Sequence, residues 1–245
     1  MRIDIYLFIS GKAKSRTAAR TMIEEGRIYF NGQQVKKASF DLSDTAEDLL
    51  EIRSGGCRYV SRGGLKLEAA LREFSIDVSG MCALDIGAST GGFTDCLLQN
   101  GVAKVYAIDS GKAQFDPSLA KDSRVFLRES CNARHLSSND FTDRIDFAVM
   151  DVSFISQTLL YPALADILLN GAQMVTLIKP QFEVGRSGVG RGGIVRSEEL
   201  RKTAVQRVCD AAAGYGFKNI GIIQSPIPGG DGNIEFLAYF GKESI

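Results

Sequence analysis

Apolar runs of five to seven residues, each closed by a glycine or a charged residue, recur through the last two-thirds of the chain. Residues 81–86 form one such run; it leads into the turn Gly87-Ala-Ser-Thr-Gly-Gly92 and then into an amphipathic stretch with helical spacing. Further strands are expected at Ala103–Ile108, Ile145–Met150, Gln173–Ile178 and Ile234–Phe240. Leu67, Ala70, Leu71 and Phe74 share one helical face, which predicts a helix from Gly64 to Phe74. Strands alternating with helical patterns imply an α/β domain around a mostly parallel sheet. The beginning of the chain reads differently. An apolar-periodic segment through Ile3, Ile5, Tyr6, Leu7 and Ile9 precedes Ser15, a good N-cap for a helix running to about Glu25. Gly26 ends that helix, Arg27–Phe30 reads as a strand, Asn31-Gly32 as a hairpin turn and Gln34–Lys37 as the return strand. The organisation expected is a small α+β module over 1–52, a basic linker over 53–62 with a hinge at Gly55 and Gly56, and an α/β domain over 63–245.

The 245 residues suit one large domain or two unequal ones. With 29 basic and 29 acidic residues the net charge is zero, so partners must be sought in local charge. Residues 1–40 hold eight bases and three acids, whereas residues 41–51 add five acids and no base. Lys12, Lys14, Arg16, Arg20 and Arg27 lie on or beside the predicted helix and hairpin, and Arg58 and Arg62 continue the series along the linker. Such a basic surface binds phosphate without reading sequence. Five cysteines without C-x-x-C spacing argue against a disulfide framework or zinc site and for a reducing cytosol. Neither a charged and apolar leader nor a run of about 18 apolar residues occurs, so the expectation is a cytoplasmic protein with no membrane partner. His135 is the only histidine. Histidine-based nucleophile schemes and histidine-ligated metals would all pass through it, so no metal is expected and proton abstraction falls to lysine or a carboxylate.

Ligands of open α/β sheets sit beyond the carboxyl ends of the strands, which gathers Asp85, Asp109, Asp151 and Lys179 at one crevice. If the last strand is antiparallel, Glu235 at its start joins the same edge. Asp109 closes the second strand roughly 20 residues after the glycine turn begins, where an acid can accept ribose hydroxyls. Two ligands fit this spacing. A dinucleotide would want G-x-G-x-x-G, from which Gly-Ala-Ser-Thr-Gly-Gly is one step out of register. The pattern D-x-G-x-x-x-G-G-F-T resembles instead the first motif of S-adenosylmethionine-dependent methyltransferases.

Two further resemblances extend this. S-R-x-x-A-R-x-x-I-x-x-G-x-I-x-x-N-G, over about the first 50 residues, is similar to the αL RNA-binding domain of the fourth small-subunit ribosomal protein. Lys66, Asp151, Lys179 and Glu235 resemble the Lys-Asp-Lys-Glu tetrad of FtsJ-type RNA ribose 2′-hydroxyl methyltransferases. With S-R-G-G-x-K-L, D-I-G-A-S-T-G-G-F-T-D, M-D-V-S-F-I-S and I-K-P-Q-F-E-V-G in order, the chain resembles the TlyA (hemolysin A) family of ribosomal RNA methyltransferases from end to end. The resemblance implies a Rossmann-like methyltransferase sheet of seven strands with an antiparallel strand at one edge. It also implies S-adenosylmethionine as cofactor, held by Asp85, Gly87, Ser89, Gly91, Gly92, Phe93, Asp109 and Asn132, with Asp151 also in reach. Ribosomal RNA or ribosomal subunits are the implied partner. In the implied chemistry Lys179 activates the ribose hydroxyl, Asp151 orients it, and Lys66 and Glu235 position the ribose. A cofactor-binding assembly factor without methyl transfer, and a hemolysin, are the alternatives. The glycine-arginine segment 185–196 lacks the G-K-[ST] ending of a phosphate-binding loop and is expected to form a basic flap that orders on RNA.

Overall fold

The computed structural model describes residues 1–13, 15–24, 26–42, 49–52 and 58–243; Lys14 and the expected hinge at Gly55 and Gly56 lie outside them. The chain divides into two compact units, Met1–Arg58 and Tyr59–Ile245. In the first, helices α1 (Ile3–Ile9) and α2 (Arg16–Glu24) precede strands β1 (Ile28–Phe30), β2 (Gln33–Gln34) and β3 (Leu50–Ile52). Ser15 caps α2 as expected, its hydroxyl accepting the Ala18 N–H at 3.0 Å. The predicted hairpin forms at Asn31 and Gly32, both with positive φ as a two-residue turn needs, but the return strand is only two residues long. β3 supplies the other partner: it pairs antiparallel with β1, so β1 lies between β2 and β3. Ile3, Leu7, Ala19, Ile23, Ile28 and Val35 form this unit's core.

Tyr59 opens the second unit and is almost wholly buried, while the Val60 N–H donates to the Asp95 carboxylate at 2.7 Å. Residues 59–62, expected as linker, are therefore anchored in the larger unit. Helix α3 (Gly63–Glu73) and strand β4 (Cys82–Ile86) follow, then α4 (Gly92–Gln99), β5 (Lys104–Ile108), β6 (Val125–Arg128) and β7 (Phe147–Met150). The remainder is α5 (Tyr161–Ile167), β8 (Gln173–Ile178), the short α6 (Pro180–Glu183), α7 (Glu198–Ala213), β9 (Phe217–Gln224) and β10 (Phe236–Lys242).

These strands build one seven-stranded sheet in the order β6-β5-β4-β7-β8-β10-β9. β4, β7 and β8 are covered on both faces, which is why they read as unbroken apolar runs rather than alternating ones. β10 pairs antiparallel with both β8 and β9, so the antiparallel strand lies one place inside the sheet and β9 takes the edge expected of it. β4 pairs with β5 on one side and β7 on the other. The chain thus reverses its winding direction beside β4, and a ligand crevice opens where the two crossovers part.

Candidate active site

The carboxyl ends of β4, β5 and β7 surround a cavity of about 530 Å³ lined by Gly87, Ser89, Asp109, Gly111, Gln114, Asn132 and Arg134, with Asp151 to Ile155 along one side. At Gly87 a β-carbon would lie 2.3 Å from the Asp151 carbonyl oxygen, and its φ is +83°, so glycine alone keeps this wall thin. The Asp109 carboxylate is held from both sides, accepting the Ser89 N–H at 2.7 Å and the Gly111 N–H at 2.6 Å. Asn132 caps the turn that follows, its side-chain oxygen accepting from the Arg134 backbone N–H at 3.2 Å.

The other residues expected to hold a cofactor sit behind this lining. Asp85 is fully buried; one carboxylate oxygen accepts the Thr94 hydroxyl at 2.6 Å and the other has no hydrogen-bond partner among the described residues. Burial pushes its carboxyl up to about 7, against the Thr94 hydrogen bond and with the help of negative Asp151 and Asp109. Gly91, Gly92 and Phe93 are buried at the start of α4. At Gly92 a β-carbon would come within 2.2 Å of the Ser61 hydroxyl, so this glycine lets α4 meet the start of α3 closely.

The four tetrad residues form two ion pairs. Lys66, on the buried face of α3, meets Glu235 at 2.6 Å, with only 10% of the lysine side chain and 2% of the glutamate exposed. Lys179, at the end of β8, meets Asp151, at the end of β7, at 2.5 Å and donates to the Ser153 hydroxyl at 2.9 Å. β10 brings the pairs to one edge: Phe236 is registered opposite Ile178, which places Glu235 and Lys179 at the same end of adjacent strands. Of the four, Asp151 also lines the cavity, which is large enough for a nucleoside-sized ligand.

Three further residues shape the site. Glu183 in α6 is buried and receives the Ser156 hydroxyl at 2.6 Å and the Gln157 N–H at 2.9 Å, tying the loop after β7 to the turn after β8. Desolvation pushes its carboxyl up, partly offset by those hydrogen bonds. Phe154 lines the cavity with 89% of its surface exposed and a positive φ, in contact with Phe182. Asn233, two residues before Glu235, is buried with both ends of its amide bonded. The M-D-V-S-F-I-S and I-K-P-Q-F-E motifs contain Phe154 and Glu183, yet only the pairing of β7 with β8 shows their proximity. His135 is exposed in a short 3₁₀ turn.

Of the basic residues in the first unit, Arg16 and Arg20 converge on Asp4 together with Arg2 at 3.0–3.3 Å, while about half of each arginine side chain remains exposed. Asp4 itself is fully buried, and its three guanidinium neighbours hold its carboxyl down at about 2 despite the opposing cost of burial. Lys12 is exposed and Arg27 half-buried in the same unit, Arg58 is exposed at its end, and Arg62 precedes α3 in the second.

Comparison with known proteins matches residues 59–242 to the FtsJ-like methyltransferase family and residues 1–48 to the S4 domain. The chain is 41% identical over 238 residues to a 16S/23S rRNA (cytidine-2′-O)-methyltransferase TlyA of Mycobacterium tuberculosis, covering 97% of this chain and 88% of that protein. Hemolysin A of Brachyspira hyodysenteriae is 43% identical over 241 residues, covering 98% of this chain and 99% of that one. A solved structure of a candidate hemolysin from Streptococcus thermophilus superposes with a TM-score of 0.79 at 44% identity, over 100% of this chain and 89% of the other.

Proposed function

The chain belongs to the TlyA group of the FtsJ-like methyltransferase family, and we propose from that premise that it transfers a methyl group from S-adenosylmethionine to a ribose 2′-hydroxyl of ribosomal RNA. The observation that carries the reading is the arrangement of two lysine-carboxylate pairs at the same end of the strands β7, β8 and β10, one of which contributes Asp151 to the lining of the cavity at the end of β4. When bound, S-adenosylmethionine supplies an electrophilic methyl group on a sulfonium. Its adenosine ribose suits the Asp109 carboxylate, and Gly87, Ser89 and Asn132 line the same cavity. Asp85, Gly91, Gly92 and Phe93 act from behind by fixing the turn and the start of α4.

A ribose hydroxyl is a poor nucleophile near neutral pH, so its proton must be taken or weakened as the methyl is transferred in line. Lys179 is the group that does this. Asp151 and Ser153 hold its Nζ at a fixed point, where it acts on the attacking hydroxyl as base or electrostatic activator. Lys66 and Glu235, paired and screened from water, fix the ribose next to Lys179. The S4 unit supplies phosphate contacts through Lys12, Lys14, Arg16, Arg20 and Arg27, with Arg58 and Arg62 following. Lys12, Arg16, Arg20 and Arg27 belong to the first unit, on or beside its helices and first strand, and are read as its basic surface. Ribosomal RNA as substrate also implies a cytoplasmic place of work.

Some of the similar proteins carry the word hemolysin, and that reading predicts membrane damage. Among the described residues no helix is long and apolar enough to cross a membrane. Purified protein, radiolabelled S-adenosylmethionine and separated small and large ribosomal subunits provide the test, followed by nucleoside digestion and liposome-leakage assays on the same preparation. Label recovered as a 2′-O-methylated nucleoside is the expected result. Label on a base, or leakage without any methyl transfer, would overturn the reading.

A further inference from the structure

A buried side chain, Asn233, ties the glycine-arginine segment after Lys179 to the turn that carries Glu235, and Arg201 also donates to the Val195 and Arg196 carbonyls at 3.0 Å. Gly190 donates to the Ile194 carbonyl at 3.0 Å and Gly193 to the Gly190 carbonyl at 3.1 Å, so residues 190–194 close into a compact loop. Arg191 and Arg196 are exposed, whereas Val195 is buried between them. The side chain of Asn233, 1% exposed, donates to the Gly193 carbonyl and accepts the Val195 N–H, both at 2.9 Å. Its backbone carbonyl accepts the Gly229 N–H at 2.9 Å. Gly229 in turn lies against Glu235: a β-carbon there would be 2.4 Å from a carboxylate oxygen. Both hydrogen-bonding ends of the amide are spent on the backbone of one loop, two residues from the carboxylate that holds Lys66.

We propose that Asn233 is a positioning residue that clamps the arginine-bearing loop 190–195 to the turn carrying Glu235, so that RNA phosphate engaging Arg191 and Arg196 sets the Glu235–Lys66 pair for methyl transfer. The inference rests on the reading of this site as an RNA ribose methyltransferase, and it adds a route from backbone recognition to chemistry. An amide suits the position because it offers a donor to the Gly193 carbonyl and an acceptor to the Val195 N–H from one planar group. A carboxylate would keep the acceptor but face the Gly193 carbonyl with negative charge, and an alanine would keep neither.

The test uses the full chain as wild type, Asn233→Ala and Asn233→Asp, with labelled S-adenosylmethionine and the ribosomal subunit that the wild type methylates. Expected for Asn233→Ala is a fall in kcat of tenfold or more, with KM for S-adenosylmethionine and subunit affinity changed less than threefold, because the cofactor cavity does not include the loop. Asn233→Asp should fall between the two. Trypsin cleavage after Arg191 and Arg196 should be faster in both variants than in the wild type. A normal kcat in the folded alanine variant, or a loss confined to cofactor KM, overturns the proposal; where that variant does not fold, the aspartate variant is judged by the same criteria. If the wild type methylates neither subunit, the functional reading fails by itself, and unchanged trypsin cleavage in the variants then also removes the clamp.

Discussion

Lys66 and Glu235 can be separated into what they do for stability and what they do for chemistry by changing them singly and together. Their side chains are 10% and 2% exposed and 2.6 Å apart, so removing one leaves the other charged in a dry pocket. Breaking a buried pair in this way costs about 3–5 kcal/mol, whereas replacing both charges by apolar groups of similar volume is often neutral or stabilising. Lys66→Met and Glu235→Leu should each lower the unfolding midpoint by about 6–20 °C, taking about 2–4 °C per kcal/mol for a unit of this size. The double variant should recover to within about 1 kcal/mol of the wild type or above it. Methyl transfer should be lost in all three, since neither apolar side chain can position a ribose. Calorimetric scanning and a radiolabel assay on one set of preparations give both readouts. If the losses of the single variants simply add in the double, the two charges are not a sealed pair. If the double variant is both stable and active, the pair is structural and takes no part in the reaction.

Lys179→Ala should abolish methyl transfer while leaving affinity for S-adenosylmethionine and RNA nearly intact, as for a group acting in the transition state. Lys179→Arg should be nearly as damaging because a guanidinium keeps its proton; substantial activity in that variant would make Lys179 an electrostatic clamp and not a base. Replacing Lys12 and Arg27 by glutamine should make the dependence of log affinity for RNA on log salt shallower by about 1–2, and an unchanged slope in a filter-binding titration would take both off the RNA surface. Asp85 should make the protein less stable as pH rises. Its carboxyl lies at about 7 in the fold against 3.8 ordinarily, so the folded state holds a proton that the unfolded chain has released between those values. Stability should fall over that window by up to the order of 4 kcal/mol and level off above it, and Asp85→Asn should lack this term. Urea unfolding at pH 5 and pH 8 compares the two, and identical pH dependence in both proteins would refute the assignment.

The strands that carry the site were legible because each is buried on both faces and ends in a polar residue: β4, β5 and β8 lie within a residue or so of their expected limits. β6 alternates half-buried with exposed positions, and β9 is mostly exposed, so neither stands out as an apolar run. β3 is three residues long and follows an acidic stretch, which hid the third strand of the first unit. Side chains that work at long range were harder still. Glu183 meets Ser156 across 27 residues and Asn233 meets Val195 across 38, distances at which local periodicity carries no information. Asp4 shows the same limit: spacing put Arg16 and Arg20 on one helix face, but only the fold reveals the carboxylate that gathers them.

The position of β10 also bears on the order in which the enzyme becomes competent. The cavity around Asp109 draws its lining from residues 86–160, a continuous stretch whose β4, β5 and β7 pairings close early in sequence terms. The Lys66–Glu235 pair spans 169 residues and forms only when β10 inserts between β8 and β9. Contacts of such separation are the slow ones, because the intervening chain must be ordered before they are rewarded. A molecule in which β10 has not inserted lacks the Lys66–Glu235 pair, whereas the residues that line the cavity around Asp109 all lie earlier in the chain. The pair is therefore conditional on one antiparallel strand that contributes nothing to the lining of that cavity, so the two halves of the site answer to different parts of the fold.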